Sequence, residues 1–349
     1  MSHRPHSSSG SARGPRRVRR AARGVAPRSA GVRFGWIGCH AEGVPALEAL
    51  VAQRMPIEAV VTLNPVKAAK RSGAADYASL CRRFNLPLYE VADINDGESV
   101  ALLKGLSLDI VFVLGWSQIL RPATLATARL GMIGAHASLL PHNRGSAPIN
   151  WALIRGETHW GNTLMWLGED VDTGEVIDQT SFPISRYDTC ATLYDRVASS
   201  NREMIVRVVP RLLAGDRPGR PQVRTDEPVL PRRRPGDGKI DWTQAAGAVY
   251  NFVRALTQPY PGAFSWLDGR RWTVWQAALV PDHRSPSARP AEVLGPVLSP
   301  VDAACGQLVA CGTGEGALLL LELQADDGEV LKGRRLSDQQ WTGKVWGDA

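Results

Sequence analysis

From Val32 onward the chain alternates short apolar runs with stretches of helical periodicity. "VRFGWIG" is an apolar run closing on Gly38, and "VPALEALVAQ" after it carries its apolar residues at helical spacing. "IEAVVTL" reads as a second strand, while "YASLCRRF" and "GESVALLKGL" read as helices on either side of the short run "LPLYEV". "LDIVFVLG" is continuous and β-branched, the pattern of a strand covered on both faces in a parallel sheet. "GMIGAH" is a further short strand. "SAPINWALIRG" is a helix with Ser146 as N-cap, Pro148 in its first turn and Gly156 at its C-terminal cap. "GNTLMWLG" and "EVIDQTSFPI" read as strands around the turn "EDVDTG", and "DTCATLYDRVASSNREMIVRVVPRLLAG" as one long helix. Strands alternating with helices predict a doubly wound, Rossmann-like α/β domain whose sheet is mostly parallel. A ligand site is then expected beyond the carboxyl ends of the strands, near the loop after "VFVLG" and around His136.

After a Pro- and Arg-rich stretch the pattern changes. "AAGAVYNFVRALT" is one helix. "AFSWL", "RWTVWQAAL", "GQLVACG" and "ALLLLELQ" are short strands punctuated by Gly, Pro and Asp, which predicts a small antiparallel, OB-like β-barrel. The expected organisation is a basic disordered tail over 1–31, a catalytic domain over 32–215, a linker over 216–234 and the barrel over 235–349.

Composition changes this picture mainly through charge. The 349 residues carry a formal +7, but nine arginines and no acid fall within residues 1–33, leaving 32 basic against 34 acidic residues, about −2. The body therefore lacks the basic balance expected of a protein that holds a polyanion, and nucleic acid is an unlikely partner. The tail has no apolar stretch to form a signal sequence, and no run in the chain has the length of a membrane helix, so a membrane partner is not expected. Five scattered cysteines read as thiols in a reducing cytoplasm. No paired-histidine motif marks a metal site, and "GTGEG" at 312–316 lacks the Lys-Ser/Thr of a phosphate loop.

The chemistry concentrates in "GAHASLLPHNRGSAPINWALIRGE" and the later "GEDVDTGEVI". A histidine at a strand end has an unperturbed pKa close to neutrality and suits acid–base work, and a carboxylate in a tight Asp-Thr-Gly turn can orient it or relay its proton. These segments resemble the formyltransferase family, whose members use 10-formyltetrahydrofolate to formylate amines. The family pattern is Asn-x-His-x-Ser-Leu-Leu-Pro-x-x-Arg-Gly, followed about 35 residues later by Asp-x-Gly. "PRRRPGDGKIDW" and "YNFVRALTQPYPGAFSWLDGRRWTVWQA" resemble the linker and C-terminal domain of methionyl-tRNA and amino-sugar formyltransferases, so the likeness runs from about Val32 to Gly328.

The resemblance implies His136 and Asp172 as catalytic residues and a folate pocket formed by Ser138, Leu139, Leu140 and Pro141, with Leu114, Trp116, Ile119, Leu120 and Val171. His40, Arg144 and Asn150 are candidates for contact with the acceptor. No metal is implied, and a homodimer is left open. One position departs from the pattern: Gly134 stands where the family has the asparagine that donates to the formyl oxygen. Loss of such a donor typically costs about 10²–10³ in rate. Either another donor, such as Ser138, Asn150 or a backbone N–H, replaces it, or the group moved is formimidoyl from a formimino-tetrahydrofolate and the glycine opens room for it, or the protein binds without catalysis. The acceptor expected is a small-molecule amine, on a nucleotide-linked amino sugar or a secondary metabolite; formylation of methionyl-tRNA is the alternative.

Overall fold

The computed structural model describes residues 31–312 and 315–347. The expected tail, apart from Gly31, lies outside the described residues. The first sheet has seven strands: β1 (Phe34–Ile37), β2 (Ile57–Leu63), β3 (Leu88–Val91), β4 (Ile110–Val113), β5 (Gly131–His136), β6 (His159–Trp166) and β7 (Val176–Pro183). Their spatial order is β3-β2-β1-β4-β5-β6-β7. The first five run parallel, β6 pairs antiparallel with β5, and β7 pairs antiparallel with β6. All four residues of β1 and of β4 are buried, as expected of central strands covered on both faces. Phe34 and Phe112 stack across them with ring centroids 5.7 Å apart.

The helices joining and covering this sheet are α1 (Val44–Ala52), α2 (Pro65–Ala68), α3 (Tyr77–Phe84), α4 (Gly97–Leu106), α5 (Pro122–Leu125), α6 (Pro148–Arg155) and α7 (Cys190–Leu213). Side chains that accept from a backbone N–H of the first turn set several starts: Asp76 for α3, Asp96 for α4 and Thr189 for α7. The start of α6 differs from expectation. Ala147, with φ 54°, is its N-cap in place of Ser146. The cause is tertiary: the Ser146 N–H donates to the Leu230 carbonyl at 3.0 Å, so this backbone pairs with a distant segment before the helix begins.

The chain leaves β1 toward β2 and β3 and returns to β4 on the other side, so the order reverses between β1 and β4. Ligand crevices of such sheets open at this point. Here the loops after the two strands are clamped together. The Cys39 and His40 N–H groups both donate to the Gly115 carbonyl, at 2.8 and 3.0 Å. Gly43 makes the approach possible, since a Cβ there would fall 2.6 Å from the Leu114 carbonyl oxygen.

The second sheet comprises β8 (Ala263–Leu267), β9 (Arg270–Arg284), β10 (Val293–Val297), β11 (Gly306–Ala310), β12 (Glu315–Ala325) and β13 (Val330–Lys332). It is antiparallel in the order β10-β11-β12-β9-β8, with β13 on β12. Bridges from Gly347 to Trp266 and from Val345 to Glu292 carry the end of the chain across the gap between β8 and β10, giving the barrel-like closure. The helix α8 (Ala246–Leu256) packs beneath, and one apolar core runs from α6 and α7 through α8 into the barrel around Trp242, Trp272 and Trp346.

The stretch 216–234, read from its composition as a linker, packs onto the first domain. Arg220 pairs with Val176 and Leu230 with Gly145, while Gln222 donates to the carbonyls of Asp172 and Gly174. Proline-rich sequence without its own periodicity carries no sign of such docking.

Candidate active site

His136 is the last residue of β5, placed by the ladder opposite Thr163 of β6, and only 7% of it is exposed. Its Nδ1 lies 3.4 Å from Asp172 Oδ2, and its Nε2 is 2.8 Å from the Asn143 carbonyl oxygen. Asp172 has φ 55°, a left-handed conformation that Asp tolerates better than most residues. Its carboxylate also accepts from the Gly145 N–H at 2.9 Å, and Gln222 grips its carbonyl. The Asp-Thr-Gly turn is thus fastened from two sides and aims its carboxylate at the histidine. These residues form part of the wall of one large cleft, about 1570 Å³, at the carboxyl ends of β1, β4 and β5.

The other sequence candidates divide in two. Trp116, Ile119, Leu120, Val171, His40 and Asn150 line the cleft with His136, Asp172 and Gly134. Ile119 and Val171 stand at an exposed apolar rim, whereas the Trp116 Nε1 is buried with no hydrogen-bond partner among the described residues. Burial, with Arg71 nearby, holds the His40 imidazole down to about 4. Asn150 donates to the Ala255 carbonyl at 2.6 Å.

Ser138, Leu139, Leu140, Pro141, Leu114 and Arg144 are not lining residues. Ser138 is fully buried and donates to the His142 carbonyl, and its own carbonyl accepts from Thr163 Oγ1. Leu140 packs with Met165 and Val176, with Leu167 against them, and Leu139 is 37% exposed next to Gly161. Leu114 is core, and Arg144 donates to the Thr225 carbonyl on the docked segment. Here the Ser-Leu-Leu-Pro turn buttresses the histidine from behind.

Gly134 has its own surroundings. A Cβ built there would lie 2.6 Å from Leu167 Cδ2, so a leucine already fills the space beside His136.

The structure also brings in residues that sequence reasoning missed. Asn143 supplies the second acceptor to His136, and Gln222 supports Asp172. Glu42, Asn162, Tyr194, Asn201 and Tyr260 line the same cleft, the two tyrosine hydroxyls 2.7 Å apart. Their only sequence signal is a polar residue inside an otherwise apolar segment, as with Asn162 in "GNTLMWLG". Among the described residues no group of three or more His, Cys, Asp or Glu is placed to hold a metal ion.

Residues 45–209 match the model of the formyl transferase family, and residues 233–340 match that of the formyl transferase C-terminal domain. The chain belongs to the formyltransferase family. Among solved structures, this formyltransferase is similar to an N-formyltransferase from Helicobacter canadensis, solved with folinic acid and dTDP-3-aminofucose. The identity is 16%, the TM-score 0.61, and the match covers 83% of this chain and 99% of that one. It is also similar to the sugar 3N-formyltransferase WlaRD, solved with dTDP and 5-N-formyl-THF, at 16% identity and TM-score 0.59, covering 84% of this chain and 98% of that chain. HypX from Aquifex aeolicus, in complex with tetrahydrofolic acid, matches at 19% identity and TM-score 0.59, over 88% of this formyltransferase but 47% of HypX. At these identities the neighbours establish the fold.

Proposed function

We propose that this formyltransferase moves a formyl group from a 10-formyltetrahydrofolate to the primary amine of a small molecule. The observation that carries the reading is the His136–Asp172 pair in the wall of a large cleft in a member of this family. Folate derivatives bound to structures of the same fold support the donor, and the cleft offers a fitting wall: an apolar rim at Ile119 and Val171 and an unpartnered indole N–H at Trp116. The donor supplies an activated one-carbon unit attached to nitrogen. In the net reaction the C–N10 bond breaks and an amide C–N bond forms; the ammonium gives up two protons, N10 takes one, and one leaves to solvent.

His136 has acceptors on both sides. Its Nε2–H donates to the Asn143 carbonyl, while the Asp172 carboxylate stands at ion-pair distance from Nδ1, where a second proton would meet negative charge. The pair is accordingly suited to holding positive charge beside a developing oxyanion and to giving a proton to the leaving nitrogen.

Gly134 supplies no side-chain donor, and the side chain nearest to it is Leu167. The oxyanion then relies on His136 and backbone donors in place of the family asparagine. Incubation with 10-formyltetrahydrofolate and a panel of amino sugars and nucleotide-linked amino sugars, followed by high-resolution mass of the products, tests the reading. Gain of CO is expected; gain of CHN from a formimino donor, or no product at all, contradicts it.

A further inference from the structure

One cation in the lining of the cleft has no counter-charge. Arg71, in the loop between α2 and α3, is half-buried. Its Nε is sealed from solvent without a hydrogen-bond partner, while its Nη atoms stay accessible and donate to no group among the described residues. The other lining cations differ. Lys70, Arg121, Arg232 and Arg234 are exposed, and Arg233 stacks on Trp151 and Phe252 while donating to the Asp237 carbonyl. Drawing a guanidinium partly out of water without pairing it is unfavourable, so an anion completes the site.

The backbone holds this arginine in place. Asn64 caps α2 by accepting from the Lys67 N–H, and the Arg71 N–H donates to the Ala68 carbonyl at 2.9 Å. The loop then pairs with the one after β1: the Ala41 N–H donates to the Gly73 carbonyl and the Ala75 N–H to the Cys39 carbonyl, both at 2.9 Å. Arg71 thereby stands close to His40, whose imidazole its charge helps to keep neutral. Two residues on, Gly73 approaches the second domain, where a Cβ would fall 3.7 Å from Pro259 Cγ. Trp116 and Ile119 of the folate rim follow β4, and β1 lies between β4 and β2, so the loop after β1 separates that rim from Arg71.

The surroundings suit a single negative charge. Cys39, pushed up to about 12 by burial, and His40, held down to about 4, are uncharged at neutral pH. Burial raises Glu42 to about 7, which leaves it partly ionised. One guanidinium near a partly charged carboxylate balances a monoanion, whereas a diphosphate brings excess negative charge. The planar fork of a guanidinium also matches the two oxygens of a carboxylate.

We propose that Arg71 binds a carboxylate of the acceptor, so that the molecule formylated is an amine bearing a carboxylate several bonds from its nitrogen. This rests on the reading of the chain as an amine formyltransferase. The spacing follows from the sheet. Arg71 follows β2 and His136 ends β5, at opposite ends of the run β2-β1-β4-β5. At about 4.8 Å per strand those ends are on the order of 14 Å apart, of which the arginine side chain spans part. An α-amino acid, whose nitrogen and carboxyl share one carbon, is too short to reach both places. An amine at the far end of the same carbon chain is long enough.

Calorimetry on the full chain saturated with 5-formyltetrahydrofolate reads binding. 6-Aminohexanoate and muramic acid carry amine and carboxylate apart, N-acetylmuramic acid the carboxylate alone, glucosamine the amine alone, and glucosamine 6-phosphate an amine with a phosphate. The carboxylates are expected to bind more tightly than glucosamine. Arg71→Gln is expected to weaken them about 10–100-fold and to leave glucosamine and folate affinity unchanged. Arg71→Lys keeps the charge without the fork and is expected to fall between. Thermal melts check that both variants fold. Turnover with 10-formyltetrahydrofolate, read by product mass, is expected for 6-aminohexanoate and not for its isomer norleucine. Unchanged carboxylate affinity in Arg71→Gln, tighter binding of glucosamine 6-phosphate than of muramic acid, or equal formylation of norleucine overturns the assignment. So does a loss of folate affinity in Arg71→Gln, which places the donor's glutamate tail on this arginine. If carboxylates bind through Arg71 but no amine is formylated, the proposed function fails while the subsite stands; if glucosamine is formylated and Arg71→Gln changes nothing, the subsite fails while the function stands.

Discussion

His136 is the residue with the most at stake, and its environment makes sharp demands. Replacing it by Ala removes the only ring between Asp172 and the Asn143 carbonyl. Turnover is expected to fall about 10²–10⁴-fold while folate binding persists, measured by steady-state kinetics and by folate titration. A normal rate in His136→Ala contradicts the mechanism. Gly134 offers a second experiment at this scale. Restoring the asparagine places its Cβ 2.6 Å from Leu167 Cδ2, so Gly134→Asn is expected to lose about 1–3 kcal/mol through overpacking. Leu167→Ala makes room, and the double variant is expected to be less destabilised than the two single changes combined, a coupling that urea denaturation reads directly. If the two changes add, Leu167 does not fill the place of the asparagine.

Elements transmit these demands. Thr163 of β6 is a hub: its hydroxyl donates to the Ser138 carbonyl at 2.6 Å and accepts from the Leu140 N–H and from Gln179 Nε2. The turn behind His136 is therefore held by a neighbouring strand as well as by its own proline. Thr163→Val keeps the shape and removes the hydroxyl, leaving two buried backbone groups unpaired; a loss of about 2 kcal/mol or more is expected in the midpoint of denaturant unfolding. The segment 216–234 plays a different part. Gln222→Ala releases the Asp172 and Gly174 carbonyls at a partly exposed place, so melting temperature is expected to change little while kcat falls about tenfold. A variant with unaltered kcat would make that segment a passive cover.

At the scale of the molecule, charge and pH dominate. The chain's +7 is concentrated in its first residues, and removing residues 1–30 takes away eight arginines. Retention on heparin is expected to drop sharply in that truncation while amine formylation continues, since the body without them is close to neutral. Stability has two opposed contributions from the cleft. Burial lifts Glu42 to about 7, so its contribution is fully present below about pH 4.5 and is lost as pH rises through 7. Burial lowers His40 to about 4, so its contribution grows as pH rises from 4 to its ordinary value of 6.5. Glu42→Gln is accordingly expected to gain about 1–3 kcal/mol over wild type at pH 8 and little at pH 4, checked by melts across that range.

How far the sequence reaches follows from how each feature is encoded. Apolar periodicity is local, and it revealed the strands "IEAVVTL" and "LDIVFVLG", the helices that follow them and the run of short strands toward the C-terminus. The likeness of "GAHASLLPHNRG" and "EDVDTG" to the formyltransferase pattern singled out His136 and Asp172 as candidates, and the structure brings the two side chains together. The start of α6 was not legible, since a hydrogen bond from Ser146 to Leu230 across the fold overrides local capping chemistry. Nor was the structural use of Ser138 and Leu140, which β6 and β7 secure from behind. Glu42, Asn150 and Asn162 lie far apart in the chain and carry no common pattern. Only the reversal of strand order between β1 and β4, with β6 and α6 beside it, brings them to the lining of one cleft. The sequence by itself determined the elements and pointed to His136 and Asp172, because short-range patterning and a contiguous motif carry both; tertiary structure alone decided which distant residues line the cleft and what stands beside Gly134, because those depend on which distant side chains meet.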